Sequence, residues 1–300
     1  MKQLSEADPA TILDNKELID NLEKTKATAI SIQEQSEVAK ATEIDINAQR
    51  EIYRPVAAEG AMLYFLCISL CIIDHMYQYS LESFIKFFFK AIEKTAERDE
   101  TRVLKLIENI RFTIYQWVSR GLFEKHKLIF LSMITFRLMS KKVIDVSYTQ
   151  EEMDFLIKGI PRPGAENTLD WLPDISWNMV QALAQLEEFK TFAQNMEKDA
   201  PTRFKDWYNE LQPEDVKLPL EWKKLDSTPF KKLLVLRCLR PDRITVALSR
   251  FIRDALPKGE EYIDMDSKSS FLDILGSVIA DSEPQIPIFF ILSPGSDPVK

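Results

Sequence analysis

The stretch LIDNLEKTKATAISIQEQSEVAKATEIDINAQREIY, residues 18–53, decides the fold class. A 4-3 spacing runs through it without a break: Leu18, Leu22, Thr25, Ala29, Ile32, Ser36, Ala39, Glu43, Ile46, Arg50 and Tyr53. Neither proline nor glycine interrupts it, and charged and amide residues fill the intervening positions. This is the heptad pattern of one coiled-coil strand. At about 1.5 Å per residue the helix extends roughly 54 Å. Thr25, Ser36, Glu43 and Arg50 fall on the seam, so a parallel homodimer would be weakly held. Pairing with a helix from elsewhere in a longer chain fits better. Asp14 and Asn15 can cap the start, and Arg54-Pro55 is expected to end or bend the helix.

Beyond Pro55 the pattern predicts packed helices up to Gly159. Residues 57–73 are apolar nearly all round, so this helix should be central. Helices are expected over 76–95, with Phe84, Phe87, Phe88 and Ile92 on one side, over 99–120, with Val103, Ile107, Ile110, Ile114 and Trp117, and over 125–141. Thr149 to Glu152 reads as a capping box before a short helix that ends at Gly159. The stretch 160–167, with Pro161, Pro163 and Gly164, is the clearest loop and the preferred boundary between two modules. Further helices are expected over 177–189, 201–211 and 229–239, then from Pro241 to 255 and over 271–279, with a Pro-bearing loop at 213–219. At 286–292 the period changes to a continuous apolar run before Ser293-Pro294-Gly295, which reads as a buried strand and loop. One strand cannot make a sheet. Its partners are therefore expected outside these residues, and both ends suggest a fragment of something larger. The fold class is mainly α: a long coiled-coil helix, a helical bundle, and one terminal strand of an incomplete α/β module.

Composition narrows the functions. Of 300 residues, 45% are hydrophobic, enough for a sizeable core, and only 7 are glycine, fewer than a tight-turned β fold would need. The net charge of −8 and the lack of a basic stripe argue against nucleic acid. The densest basic stretch, Lys231-Lys232 with Arg237, Arg240 and Arg243, lies beside Asp226, Asp242 and Asp254, and reads as a solvated or internally paired helix face. Cys67, Cys71 and Cys238 are an odd set without framework spacing, which points to a reducing compartment. The longest apolar run, 61–73, is short of the roughly 20 residues a membrane span needs.

Few residues offer chemistry. A phosphate loop needs two glycines and a Lys-Ser/Thr pair after a strand. Here Ser293, Pro294, Gly295, Asp297 and Lys300 stand at that position; the second glycine is absent and two prolines remove amide donors. The loop reads as degenerate, without bound cofactor. Cys67, Cys71 and His75 would share a face of one continuous helix, a conceivable metal set, but in so apolar a helix core packing is the preferred reading; no metal is assigned. His126 is expected to face solvent. Glu151-Glu152 and Glu187-Glu188 read as surface charge. No catalytic set emerges. Arg240, Pro241, Asp242 and Arg243 are the best structural junction: proline sets the turn, Asp242 suits the positive helix end, and the arginines can bridge packed elements with forked donors.

Several blocks taken together resemble a known family. These are Ile12-Leu-Asp-Asn15 with Leu18-Ile19, Leu22-Glu-Lys-Thr-Lys26, Tyr53-Arg-Pro-Val56 with Leu63-Tyr-Phe65, Met76-Tyr-Gln-Tyr-Ser-Leu81, Arg120-Gly-Leu-Phe-Glu124, Leu239-Arg-Pro-Asp-Arg243, and Pro287 to Gly295 with Asp297-Pro298. In this order, over 12–300, they resemble dynein heavy chains, in wording closer to the axonemal type. The resemblance implies a strut (buttress) helix over 1–54, the helical lid of the fifth AAA+ module over 55–160, and the N-terminal part of the sixth over 161–300. It further implies a segment of a minus-end-directed microtubule motor of the ciliary axoneme and cytoskeleton. In that parent motor ATP and magnesium sit elsewhere, and the partners are the rest of the heavy chain, intermediate and light chains, and microtubules. Residues 1–11 depart from the family's ascending strut helix. A stand-alone helical adaptor, binding a partner helix along residues 18–53, is the alternative.

Overall fold

The computed structural model describes residues 16–95, 101–163, 166–265, 271–285, 287–290 and 295. The first element, α1, runs Lys16–Ser69, 54 residues, or about 80 Å at 1.5 Å per residue. It does not stop at Pro55, which lies inside it. Proline removes one hydrogen bond, but the helix beyond it has tertiary support. Val56, Met62, Leu63 and Cys67 are buried there, so packing outweighs the local break.

The chain divides into two compact units. The first comprises Met1–Phe65 and Ser80–Ile114. In it lie most of α1, α2 (Leu81–Glu93) and the front of α3 (Arg102–Arg120). The expected helix over 76–95 starts late because Ser80 caps α2 by accepting the Ser83 N–H. Phe84 of α2 packs against Tyr64 of α1, ring centroids 5.2 Å apart. A Cβ on Gly60 would come within 2.6 Å of the Phe88 ring, so only glycine lets that ring lie on the backbone of α1. Within this core Arg111 donates to Glu59 at 2.8 and 2.7 Å, and both side chains are almost wholly buried. An 18-residue window of α1 reaches a mean hydropathy of 1.8, as a membrane span would. Only 39% of that window is buried: Glu59, Leu63 and Cys67 face inward while Phe65, Ile68 and Ile72 are exposed, so this stretch is a half-buried helix and not the central one expected.

The second unit comprises Leu66–Tyr79 and Tyr115–Lys300. Its helices are α4 (Glu124–Ser140), α5 (Gln150–Lys158), α6 (Asp174–Leu183), α7 (Pro201–Asn209), α8 (Pro229–Leu239), α9 (Ile244–Ala255), α10 (Gly259–Ile263) and α11 (Phe271–Asp281). The central one is α8, buried along nearly its whole length and packed on α5, α6 and α9. A second layer of the core is aromatic. Trp222 stacks on Phe189 at 5.6 Å and meets Phe192 edge-on at 4.9 Å, while its indole N–H donates to Asn195. Trp222 sits in a tight helical stretch, Leu220–Ser227, which sequence periodicity does not predict, nor does it predict α10. The expected strand over 286–292 is not seen: 287–290 form neither strand nor helix, and the rest of that run lies outside the described residues. A single segment has no neighbouring backbone with which to build a ladder. The described residues contain no strand.

Candidate functional site

The long helix displays the first candidate surface. Along 19–55 every residue of α1 is exposed. On the expected seam Leu22, Ile32 and Ile46 are 41%, 60% and 46% exposed, with Thr25, Ala29 and Ala39 also open to solvent; the side chain of Leu18 lies outside what is described. Apolar residues also occur off that seam. Ile30 and Ile44 lie two heptads apart, as do Val38 and Ile52, and all four are exposed. The apolar surface is therefore broader than the seam, a feature the 4-3 reading overlooked. Thr25, Thr28 and Thr42 turn their hydroxyls back to the carbonyls four residues earlier. Their polarity is thus spent within the helix, leaving mostly methyl groups on its surface.

The junction at 240–243 is a built arrangement. The residue before a proline is driven out of helical geometry, so α8 ends at Leu239 and Arg240 takes φ −133°. That turn aims Arg240 in three directions. Its guanidinium forks onto Asp242 at 2.9 and 2.7 Å, donates to the carbonyls of Tyr208 and Glu210 at 2.7 and 2.9 Å, and lies over the Tyr208 ring. Arg243 forks onto Glu214, and Arg250 of α9 reaches Asp215. The fork to Arg240 holds the Asp242 carboxyl below the usual carboxylate range. Burial pushes Glu214 up, but the hydrogen bond and charge of Arg243 with a backbone N–H overcome it, leaving that carboxyl depressed. Asp242 thus serves Arg240 directly. The junction bolts the end of α8 and the start of α9 to the loop after α7.

Of the two readings of the basic stretch, solvated or internally paired, the second holds for Lys231 and Lys232, which are buried. Lys231 meets Glu188 at 2.5 Å and Glu152 at 3.8 Å, and Lys232 meets Asp226 at 2.6 Å. Glu152 is therefore no surface charge: its side chain is 3% exposed and accepts the Thr149 N–H in the capping box. Glu188, though exposed, is engaged by Lys231. The signal for this network was the capping box itself, which turns Glu152 inward. His126 does not simply face solvent. Its Nδ1 lies 2.7 Å from the Tyr77 hydroxyl, which also accepts the Phe123 N–H. Cys67, Cys71 and His75 do not lie on one continuous helix, because α1 ends at Ser69 and a tight turn, Leu70–Ile72, follows. Burial pushes the Cys67 thiol up to about 12, Cys71 is exposed, and the His75 side chain is 95% exposed. Among the described residues no cluster of three or more His, Cys, Asp or Glu could hold a metal. Of the loop at 293–300 only Gly295 is described, in a turn at φ 88°; Ser293, Pro294, Asp297 and Lys300 lie outside the described residues.

Known proteins resemble this chain over nearly its whole length. No protein-family model matches the chain. Individual proteins do: over 285 residues, 94% of the chain, it is 39% identical to dynein axonemal heavy chain 17 of Mus musculus. This chain is a homologue of the axonemal dynein heavy chains. It is also 36% identical over 95% of its length to the flagellar outer-arm dynein beta chain of Chlamydomonas reinhardtii, and 35% identical over its whole length to the ciliary dynein beta chain of Heliocidaris crassispina. The dynein homologue spans 6% of the length of each of these relatives. The match therefore concerns one segment of a very long chain, and both candidate surfaces fall within it.

Proposed function

We propose that this chain is the strut-and-ring segment of an axonemal dynein heavy chain, working within a minus-end-directed microtubule motor of cilia and flagella. The observation that carries this reading is the match along 94–100% of the chain to heavy chains of which it spans 6%. The exposed 19–55 half of α1 supports a strut, since a long helix with uncovered apolar residues suits lateral contact with another helix. In this reading, residues 1–54 are the strut, 55–160 the lid of the fifth AAA+ module and 161–300 the start of the sixth. The loop at 293–300 holds no nucleotide. ATP and magnesium act elsewhere in the intact motor, whose partners are the remaining heavy chain, intermediate and light chains and microtubules. The segment would work by sliding helix contacts that relay ring motion to the microtubule-binding stalk.

The test is an intact heavy chain in which Leu22, Ala29 and Ile32 are changed to glutamate. ATP turnover should persist while its stimulation by microtubules falls by about tenfold, the size of a typical coupling free energy. If coupling remains normal, the strut role is wrong and the stripe serves a different helix, as the adaptor reading holds.

A further inference from the structure

Helix α4 starts without a cap of its own. Its N-cap residue is Phe123, extended at φ −61° and ψ 147°, with no side-chain oxygen to offer the first turn. The Phe123 N–H still finds an acceptor, the Tyr77 hydroxyl at 3.1 Å. That hydroxyl also lies 2.7 Å from Nδ1 of His126. His126 is the third residue of α4, the position from which Glu152 of α5 reaches back to the N–H of its own N-cap, Thr149. In α5 the reach is direct, an ordinary capping box. In α4 the Tyr77 hydroxyl stands between the same two partners.

The direction of these hydrogen bonds follows from the protons available. Tyr77 is 4% exposed, so its O–H requires an acceptor. Nδ1 of a neutral imidazole is one when the ring proton sits on Nε2. The bonds then run one way, from Phe123 N–H to the Tyr77 oxygen and from Tyr77 O–H to His126 Nδ1. A protonated ring carries hydrogen on both nitrogens. Nδ1 would become a donor, and the Tyr77 O–H would lose its acceptor. The surroundings act in the same direction. The first turn of a helix is its positive end, a poor place for an imidazolium. Beside the ring on α4 stand Glu124, Lys125 and Lys127, of which Glu124 and Lys127 pair at 2.8 Å. Tyr77 meets the ring edge-on from the segment between α1 and α2, and Phe123 flanks it. Asp74 of that segment stands 3.5 Å from His75. Among the described residues no carboxylate pairs with His126. We propose that Tyr77 and His126 form a relayed capping box, a proton-sensitive pin. It fastens the segment between α1 and α2 to the start of α4 while His126 is neutral, and lets go when the ring is protonated.

The test is hydrogen exchange on the full chain at about pH 8 and about pH 5, on either side of the ordinary histidine range. Rates across 122–127 are expressed as protection factors, which divides out the intrinsic pH dependence of exchange. Protection in the parent chain should fall about fivefold on acidification, the size of a typical helix cap, with α8 unaffected. Tyr77→Phe and His126→Ala should show the low protection at both pH values. His126→Asn keeps an acceptor in place of Nδ1 but cannot take up the proton, so it should stay protected and lose the pH step. The chain has two histidines, and His75→Asn should keep the step, since the His75 side chain is 95% exposed. A parent chain with no pH step would overturn the pin. So would a step that survives in His126→Asn or disappears in His75→Asn, or full protection in Tyr77→Phe at about pH 8.

Discussion

Glu59 and Arg111 show what a single buried pair demands. With 6% and 3% of their side chains exposed, neither charge has water to fall back on. Removing one partner leaves the other as an uncompensated buried ion, which costs about 3–5 kcal/mol. Glu59→Ala should lower stability by that amount, measured as the shift of the urea midpoint. A double change of both residues to apolar groups of similar size should recover much of the loss. Glu214 makes a different statement, about pH. Its carboxyl is held below the usual carboxylate range when folded. Its contribution is therefore complete above that range and is lost as pH falls through the depressed value. The parent chain should be more stable than Glu214→Gln at pH 7, and the gap should narrow by pH 3. A gap that stays constant between the two pH values would contradict this. Neither pair was evident from spacing: Glu59 and Arg111 are distant in sequence, and only packing brings them together.

At the scale of elements, helix ends were the most legible feature. Thr149 and Glu152 form the predicted capping box, and α5 stops at Gly159 in the left-handed conformation, φ 47°. The structure adds why glycine is needed there. A Cβ would stand 2.4 Å from the Arg237 guanidinium, which caps the Ile157 carbonyl of the same helix. Gly159→Ala combines backbone strain with that clash and should cost about 1–3 kcal/mol, read as a lowered melting temperature. Where an element owed its existence to distant contacts, local pattern failed. Leu220–Ser227 coils tightly because Trp222 must reach Phe189 and Phe192. Likewise α1 continues through Pro55 because its later residues are buried.

For the whole molecule, the division of labour is between a core that holds shape and a rod that is left uncovered. Since Leu22, Ala29 and Ile32 touch solvent, charged residues there should leave the stability of the chain within about 0.5 kcal/mol of the parent. A loss of motor coupling in the intact heavy chain would then report on a missing contact and not on misfolding. The match to heavy chains many times longer gives that exposed surface its proposed use.

The amino-acid sequence by itself determined the helical class, the long rod, most helix limits and the kinship with axonemal dyneins. Those features rest on period, caps and ordered motif blocks, all of them local along the chain. Only the tertiary structure decided which charges go inside. Glu152 reads as surface charge in sequence, and Lys231 and Lys232 read equally as solvated or paired; these three and Arg111 are buried because each finds a counter-charge on another element. That pairing depends on three-dimensional proximity, which no one-dimensional spacing encodes.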